Sequence, residues 1–402
     1  MKYVIFLGDG MADHPVEKIG GKTPLQVAKK PNIDRIAREG RTGLFRTLRD
    51  DMATGSAVAN LSVMGYNVYE CFEGRGVLEA AAMGVEVPDD SIAMRCNLIC
   101  LEDGKIKNHS AGHISSEESD QLLKTLTEKL GADDFKLYTG VSYRHLFIGK
   151  GMSPALDCAP PHDHPNEVAA DLLIKPKKPE AEATASRLND LTRASWEILE
   201  NHPVNQKRRE AGKDPANSIW LWSPGVRPQM WTYKDHFGVT GAVISAVDLI
   251  RGLGVYAGLE VIKVPGATGL WDTNYEGKAD ACLEALERHD FVYLHVEAPD
   301  EAGHEGDCDL KIRTIEDFDK RCVGRVMEGL ENKGIEATVA VLPDHPTPVD
   351  LRIHVRDPIP FAIKDPTQEP DAVQQYDEKS CEAGSLGLVE GDQFIKAFFG
   401  KG

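Results

Sequence analysis

Seven side chains able to hold a metal or act as a nucleophile fall in short clusters along the chain: Asp9; Ser56; Asp300 with His304; and Asp344, His345 and His354. Carboxylate mixed with imidazole suits hard to borderline divalent cations such as Mn²⁺, Zn²⁺ or Mg²⁺. A serine among them supplies the alcohol that two-cation phosphoryl transfer needs as its nucleophile. Singly, each cluster has a plainer explanation. Asp9, between Gly8 and Gly10, could be a turn former, and Ser56, in Thr54-Gly55-Ser56, could be only a helix N-cap. Asp300 and His304 stand four apart, so on a helical turn both point the same way and can reach one cation. Asp344-His345 could be a turn running into Pro346 and Pro348. What lifts the set above coincidence is position, because most of these residues follow an apolar, strand-like run.

Those runs define the frame. Residues 4–7 read as a buried strand opening into Gly8-Asp9-Gly10. Helices are expected over residues 31–40 and 58–64, which puts Ser56 at a helix N-terminus, where free N–H groups and the macrodipole favour a phosphate. Further on, the spacing predicts a strand at 218–222, a helix over 241–253, a strand at 259–264 and a helix over 275–288. A strand at 291–296, a helix over 310–330 and a strand at 337–342 complete the series. Strand and helix alternating in this way imply an α/β fold with a doubly wound, mainly parallel sheet and ligands at strand C-termini. The texture between residues 71 and 214 differs. Strand-like stretches at 93–101 and 136–148, the loop Ala159-Pro160-Pro161-His162 and a long helix over 181–200 read as an inserted, smaller α+β domain. The core is then residues 1–70 and 215–402.

Composition narrows the class. A formal net charge of −18 argues against a nucleic-acid backbone as partner. The eight cysteines contain no C-x-x-C pair, which favours a reducing compartment. The N-terminal apolar run is too short for a signal peptide, and no stretch approaches the ~20 apolar residues of a membrane span. A soluble cytoplasmic protein is the expectation, with oligomeric state open. Against this acidic background, Arg75, Arg95, Arg144, Arg227, Lys234 and Lys278 are the candidates for meeting an anionic substrate, with His113 and His162 behind them.

The chain resembles the archaeal-type, cofactor-independent (2,3-bisphosphoglycerate-independent) phosphoglycerate mutases of the alkaline phosphatase superfamily. The resemblance runs over nearly its full length. It is carried by Gly8-Asp9-Gly10, Gly55-Ser56 with Ala59-Asn60-Leu61-Ser62, Gly74-Arg75-Gly76 and Tyr143-Arg144-His145, and most specifically by Asp272-Thr273-Asn274-Tyr275-Glu276-Gly277-Lys278, Glu297 through His304, and Asp344-His345 with Thr347-Pro348. It implies two divalent metal ions, Mn²⁺ first among Zn²⁺, Co²⁺ and Mg²⁺. Asp9, Ser56, Asp344 and His345 would hold one, and Asp300, His304 and His354 the other. Ser56 would take the phosphoryl group from 3-phosphoglycerate, and the retained glycerate, covered by the inserted domain, would accept it at O2. Lys234 would neutralise the phosphate. The chain departs from the family pattern at Ala57, Pro346 and His113, where Asp, Ser and Arg are usual. These departures touch the substrate more than the metal chemistry, so a phosphotransferase acting on homoserine and a phosphomonoesterase remain as alternatives.

Overall fold

The protein is described as a computed structural model, covering residues 1–72, 74–131 and 133–401. Strands β1 (Lys2–Gly8) and β2 (Arg41–Arg46) come first. Next are β3 (Ser91–Glu102), β4 (Lys105–Asn108), β5 (Phe135–Val141), β6 (Arg144–Lys150), the short β7 (Leu156–Asp157) and β8 (Lys175–Pro176), and β9 (Ser218–Gly225). The chain then runs through β10 (Gly241–Ile244), β11 (Glu260–Ile262), β12 (Phe291–Val296), β13 (Ala337–Leu342), β14 (Ile359–Lys364) and β15 (Gly387–Glu390). It divides into two compact units, Met1–Phe72 with Gln229–Gly402, and Glu73–Pro228.

The first unit is built on an eight-stranded sheet in the order β11-β10-β12-β1-β13-β14-β2-β15. Every strand runs the same way except β14, which is antiparallel to both of its neighbours. Continuous apolar runs explain the centre. Val4, Ile5, Phe6 and Leu7 of β1, and the whole of β12, are buried, so both faces of the sheet are covered. The helix Tyr275–Arg288 matches its expected span and buries Ala279, Cys282, Ala285 and Leu286.

Several expectations fail for physical reasons. Residues 241–253 are not one helix: Gly241–Ile244 is a strand, and the helix is Asp248–Tyr256. Three apolar residues between Gly241 and Ser245 are too few for periodicity to separate strand from helix. The run at 310–330 is interrupted by a π-helical turn, Phe318–Val323, between Cys308–Asp317 and Gly324–Lys333. The strand at 218–222 does not join the parallel sheet. It lies in β9, pairs antiparallel with β3 and belongs to the second unit, so the core resumes at Gln229 and not at residue 215.

The second unit is antiparallel: β3 pairs with β4, β6 and β9, and β5 with β6. Helices Ser116–Leu130 and Glu182–Glu200 close a core of Ile92, Met94, Leu98, Leu126, Phe147 and Leu188. Among the described residues, no helix is long and apolar enough to cross a membrane.

Candidate active site

Three adjacent parallel strands, β12, β1 and β13, end at one edge of the sheet, with Gly8 beside Val296 and Leu7 beside Leu342. Asp9 follows β1 directly, and Asp344 and His345 lie just past β13. Asp300 and His304 stand on the helix Ala298–Glu305 that follows β12. Strand order therefore brings together residues hundreds of positions apart, at the carboxyl edge where ligands of such sheets collect. The approach is tight. Gly10 has φ +59°, and a Cβ there would stand 2.7 Å from the Asp300 Cα, so only glycine fits.

Asp9, Asp344 and His345 form one group whose ligand atoms all lie within 4.8 Å of one another, and Asp300, His304 and His354 form another. His345 Nε2 lies 3.6 Å from Asp9 Oδ1, 3.3 Å from Asp344 Oδ2 and 3.3 Å from the Ser56 hydroxyl. In the other group, His304 Nε2 is 3.2 Å from Asp300 Oδ2, His354 Nε2 is 3.5 Å from Asp300 Oδ1, and the two Nε2 atoms stand 2.9 Å apart. The rings of His345 and His354 stack at 3.9 Å, so the two groups adjoin. Ser56 opens the helix Ser56–Val63 after Gly55, with its hydroxyl at the positive end.

Buried partners hold the ligands in pose. Asp344 Oδ1 accepts from the backbone N–H of Gly10 and of His345, at 3.2 and 2.9 Å. Its Oδ2 accepts from Asn60 Nδ2 at 2.8 Å, and Asn60 in turn accepts from the Tyr293 hydroxyl. His304 Nδ1 lies 2.9 Å from the Arg352 carbonyl, which can only accept, so Nδ1 carries a proton and the ring turns Nε2 towards Asp300. Asp9 Oδ2 accepts from His295 Nε2 at 2.8 Å, while Asp9 Oδ1 is buried without a hydrogen-bond partner. An orphaned carboxylate oxygen among lone-pair donors is what a cation satisfies. The donor set fits divalent metal ions.

The electrostatics agree. Burial first, then Asp344 and Glu297, pushes the Asp9 carboxyl well above its ordinary range. Glu297 is pushed up to about 8, by burial and then Asp300. Burial acts on Asp300 in the same direction, but hydrogen bonds from His304 and His354 outweigh it and hold the carboxyl low. His304 is raised to about 9, chiefly by its bond to Asp300. Protons here occupy places that a divalent charge would take over.

The basic residues divide differently. Lys234 is exposed on the one-turn helix Tyr233–Phe237. Its neighbour Tyr233 stacks on Phe291, the first residue of β12, and bonds the carbonyl of Ala257 ahead of β11. That is the opposite edge of the sheet from Asp9, which corrects the expectation that Lys234 meets the phosphate. Lys278 is wholly buried and donates to the His295 carbonyl at 3.1 Å; burial lowers it to about 8. It sits in the packed interior and not on a substrate wall.

In the second unit, Arg95 pairs with Glu79 at 2.9 Å, and its guanidinium lies 4.3 Å from the centre of Trp222. His162 meets the same Trp222, at 5.3 Å. Arg144 lies over Tyr143, and His113 stands at the edge of that ring. Arg75 begins the helix Arg75–Ala82, close enough to Arg95 to depress its pKa after burial. Arg227 faces the exposed Asp89 at 3.8 Å. His109, which the sequence reading passed over, joins the patch against Tyr143 and His162. Also missed were Asn60, His295, Glu297 and Thr347; all but Thr347 could have been sought as polar residues inside otherwise apolar runs or directly past a strand end.

The fold and this edge define an α/β protein with a buried cation-binding centre beside a serine hydroxyl. Residues 37–205 match the family model described as 2,3-bisphosphoglycerate-independent phosphoglycerate mutase. A relative of that name from Methanosarcina acetivorans is 49% identical over 397 residues, spanning 98% of each chain. One from Geobacter sulfurreducens, named as a probable enzyme of the same kind, is 49% identical over 399 residues, again 98% of each. Among solved structures, a cofactor-independent phosphoglycerate mutase from Thermoplasma acidophilum superposes with a TM-score of 0.72 at 26% identity, covering 100% of both chains. A Pyrococcus horikoshii protein gives 0.84 at 27% identity, covering 100% of this chain and 98% of that one. The chain belongs to the 2,3-bisphosphoglycerate-independent phosphoglycerate mutase family.

Proposed function

We propose that this protein interconverts 3-phosphoglycerate and 2-phosphoglycerate by two phosphoryl transfers at Ser56. Asp9, Ser56, Asp344 and His345 hold one divalent cation, and Asp300, His304 and His354 hold a second, with Mn²⁺ the best match to the mixed oxygen and nitrogen donors. When bound, the cations supply charge to offset the phosphoryl oxygens and to lower the serine pKa.

The chain's own groups do the rest. The Ser56 oxygen attacks phosphorus, the bond from phosphorus to substrate O3 breaks, and O3 ends with the proton that Ser56 gave up. The glycerate then presents its O2 hydroxyl, whose oxygen displaces Ser56 from phosphorus while its proton restores the serine. Two in-line displacements give net retention at phosphorus, with no phosphate lost. In this reading Arg75, Arg95, Arg144, His113 and His162 bind the anionic oxygens of the substrate.

One observation carries the proposal: the Ser56 hydroxyl stands 3.3 Å from His345 Nε2, within a cluster where the buried Asp9 Oδ1 lacks a hydrogen-bond partner. The test is a two-part assay with Mn²⁺ and 3-phosphoglycerate. Appearance of 2-phosphoglycerate, with a phosphate on the Ser56 peptide by mass spectrometry, is the expected result. Release of inorganic phosphate alone, or phosphorylation of homoserine without phosphoglycerate turnover, overturns it.

A further inference from the structure

Thr347 is fully buried and lies between the two cation-binding groups. Its hydroxyl donates to Asp300 Oδ1 and stands 3.3 Å from His345 Nδ1. A hydroxyl has one proton, and a carboxylate can only accept, so that proton goes to Asp300. The oxygen lone pair therefore receives the proton of His345 Nδ1. This assignment leaves His345 Nε2 with its lone pair facing Asp9, Asp344 and Ser56. One side chain thus orients a carboxylate of one group and sets the tautomer of an imidazole in the other.

The surroundings allow Thr347 little freedom. Pro346 and Pro348 flank it, and proline restricts both its own φ and the residue before it. Its N–H donates to the Ala12 carbonyl at 3.2 Å. Its own carbonyl accepts from Lys311 Nζ at 2.8 Å, and Lys311 is completely buried and also bonds the Ala12 carbonyl and Asp13 Oδ2, at 3.0 and 2.8 Å. On the other side, Gly303 lets the helix bearing Asp300 and His304 come close: a Cβ there would lie 2.4 Å from the Thr347 carbonyl oxygen. The backbone is pinned to the β1 loop and to the helices after β12, so the hydroxyl is fixed in direction.

We infer that Thr347 is a positioning residue that couples the two cation sites, so that filling one raises the affinity of the other. A cation that draws on Asp300 fixes its carboxylate, the carboxylate fixes the Thr347 hydroxyl, and the hydroxyl aligns the His345 ring. By linkage the coupling is the same in either direction. The inference rests on the two-cation reading above.

The test is calorimetry with Mn²⁺ on the full chain, comparing wild type, Thr347→Val and Thr347→Ser. Wild type is expected to take up two ions, the second more tightly than the first. Thr347→Val, nearly isosteric, is expected to bind about 10–100-fold more weakly, the usual cost of losing such a supporting partner, and to bind its ions independently. Thr347→Ser keeps the hydroxyl and restores the coupling, which a purely packing role for the threonine methyl would not do. If Thr347→Val does not fold, Thr347→Ala against Thr347→Ser gives the same comparison. A Val or Ala variant that keeps the wild-type ratio of stepwise constants, or a wild type that binds two ions independently, overturns the inference and leaves the two-cation reading standing. A wild type that binds no Mn²⁺ sinks both.

Discussion

The carboxyl edge of the parallel sheet and the basic patch of the second unit are built on opposite principles. At the edge, Asp9, Asp344 and His345 are fully buried, and Asp9 and Asp344 are held by residues from three other elements, with Asp9 Oδ1 left without a partner. In the patch, Arg75, Arg144, His113 and His162 are exposed; Arg144 lies over Tyr143, and His113 and His162 meet aromatic rings edge-on. A cation site must be preorganised, because misplaced ligands lose affinity steeply and charge is costly to bury. A patch for anions can stay wet, because long cationic side chains adapt and each contact contributes modestly.

The contrast makes graded predictions. Ser56→Ala should have the largest effect, a loss of at least about 10⁴-fold in kcat, as for removal of other catalytic nucleophiles. Mn²⁺ should still bind through the remaining carboxylates and imidazoles, which calorimetry on the variant checks. Asp300→Asn should follow, since it removes a shared charge from the group with His304 and His354; metal analysis after dialysis should find one ion fewer, with activity down about 10²–10³-fold.

Arg144→Leu acts on the patch and should raise KM or lower kcat/KM by about 10–100-fold, the worth of one charge-assisted contact. Its calorimetric Mn²⁺ binding should match wild type, and a loss of metal there would contradict the separation drawn above. The pH dependence distinguishes the two regions again. Glu297 is raised to about 8, His304 is raised to about 9, and Asp9 is raised as well, so without a cation the centre would hold protons near neutrality. A cation must displace them, and apparent Mn²⁺ affinity should therefore rise as pH goes from about 6 to about 9, with protons released. Calorimetry in buffers of different ionisation enthalpy measures that release, and a pH-independent affinity would refute it. Lys234→Ala should do least, leaving kcat/KM within about 2-fold, because surface changes remote from a site are usually neutral.

How legible was this centre beforehand? The seven residues proposed as ligands and nucleophile come together as a set, because an acidic or imidazole side chain just past a buried apolar run has few other uses. The strands at 291–296 and 337–342 and the helix at 275–288 were equally plain, being long and strongly patterned. The misreadings have common causes. Gly241–Ile244 is too short for period to decide its type, and Ser218–Gly225 carries no local mark of which sheet it joins. Lys234 and Lys278 look alike along the chain, yet one is exposed at the far edge and the other is buried under His295.

Amino-acid order alone determined the chemical types available: oxygen and nitrogen donors for hard cations, a serine at a helix start, and the apolar runs that had to be buried. Only the tertiary structure decided which donors lie together, which imidazole nitrogen faces which partner, and that Thr347 stands between the groups with Asn60 behind Asp344. Those outcomes depend on contacts between residues such as Asn60 and Asp344, which are 284 positions apart. Pairing at that range is set by sheet order and packing, and a linear pattern of residue types carries no record of it.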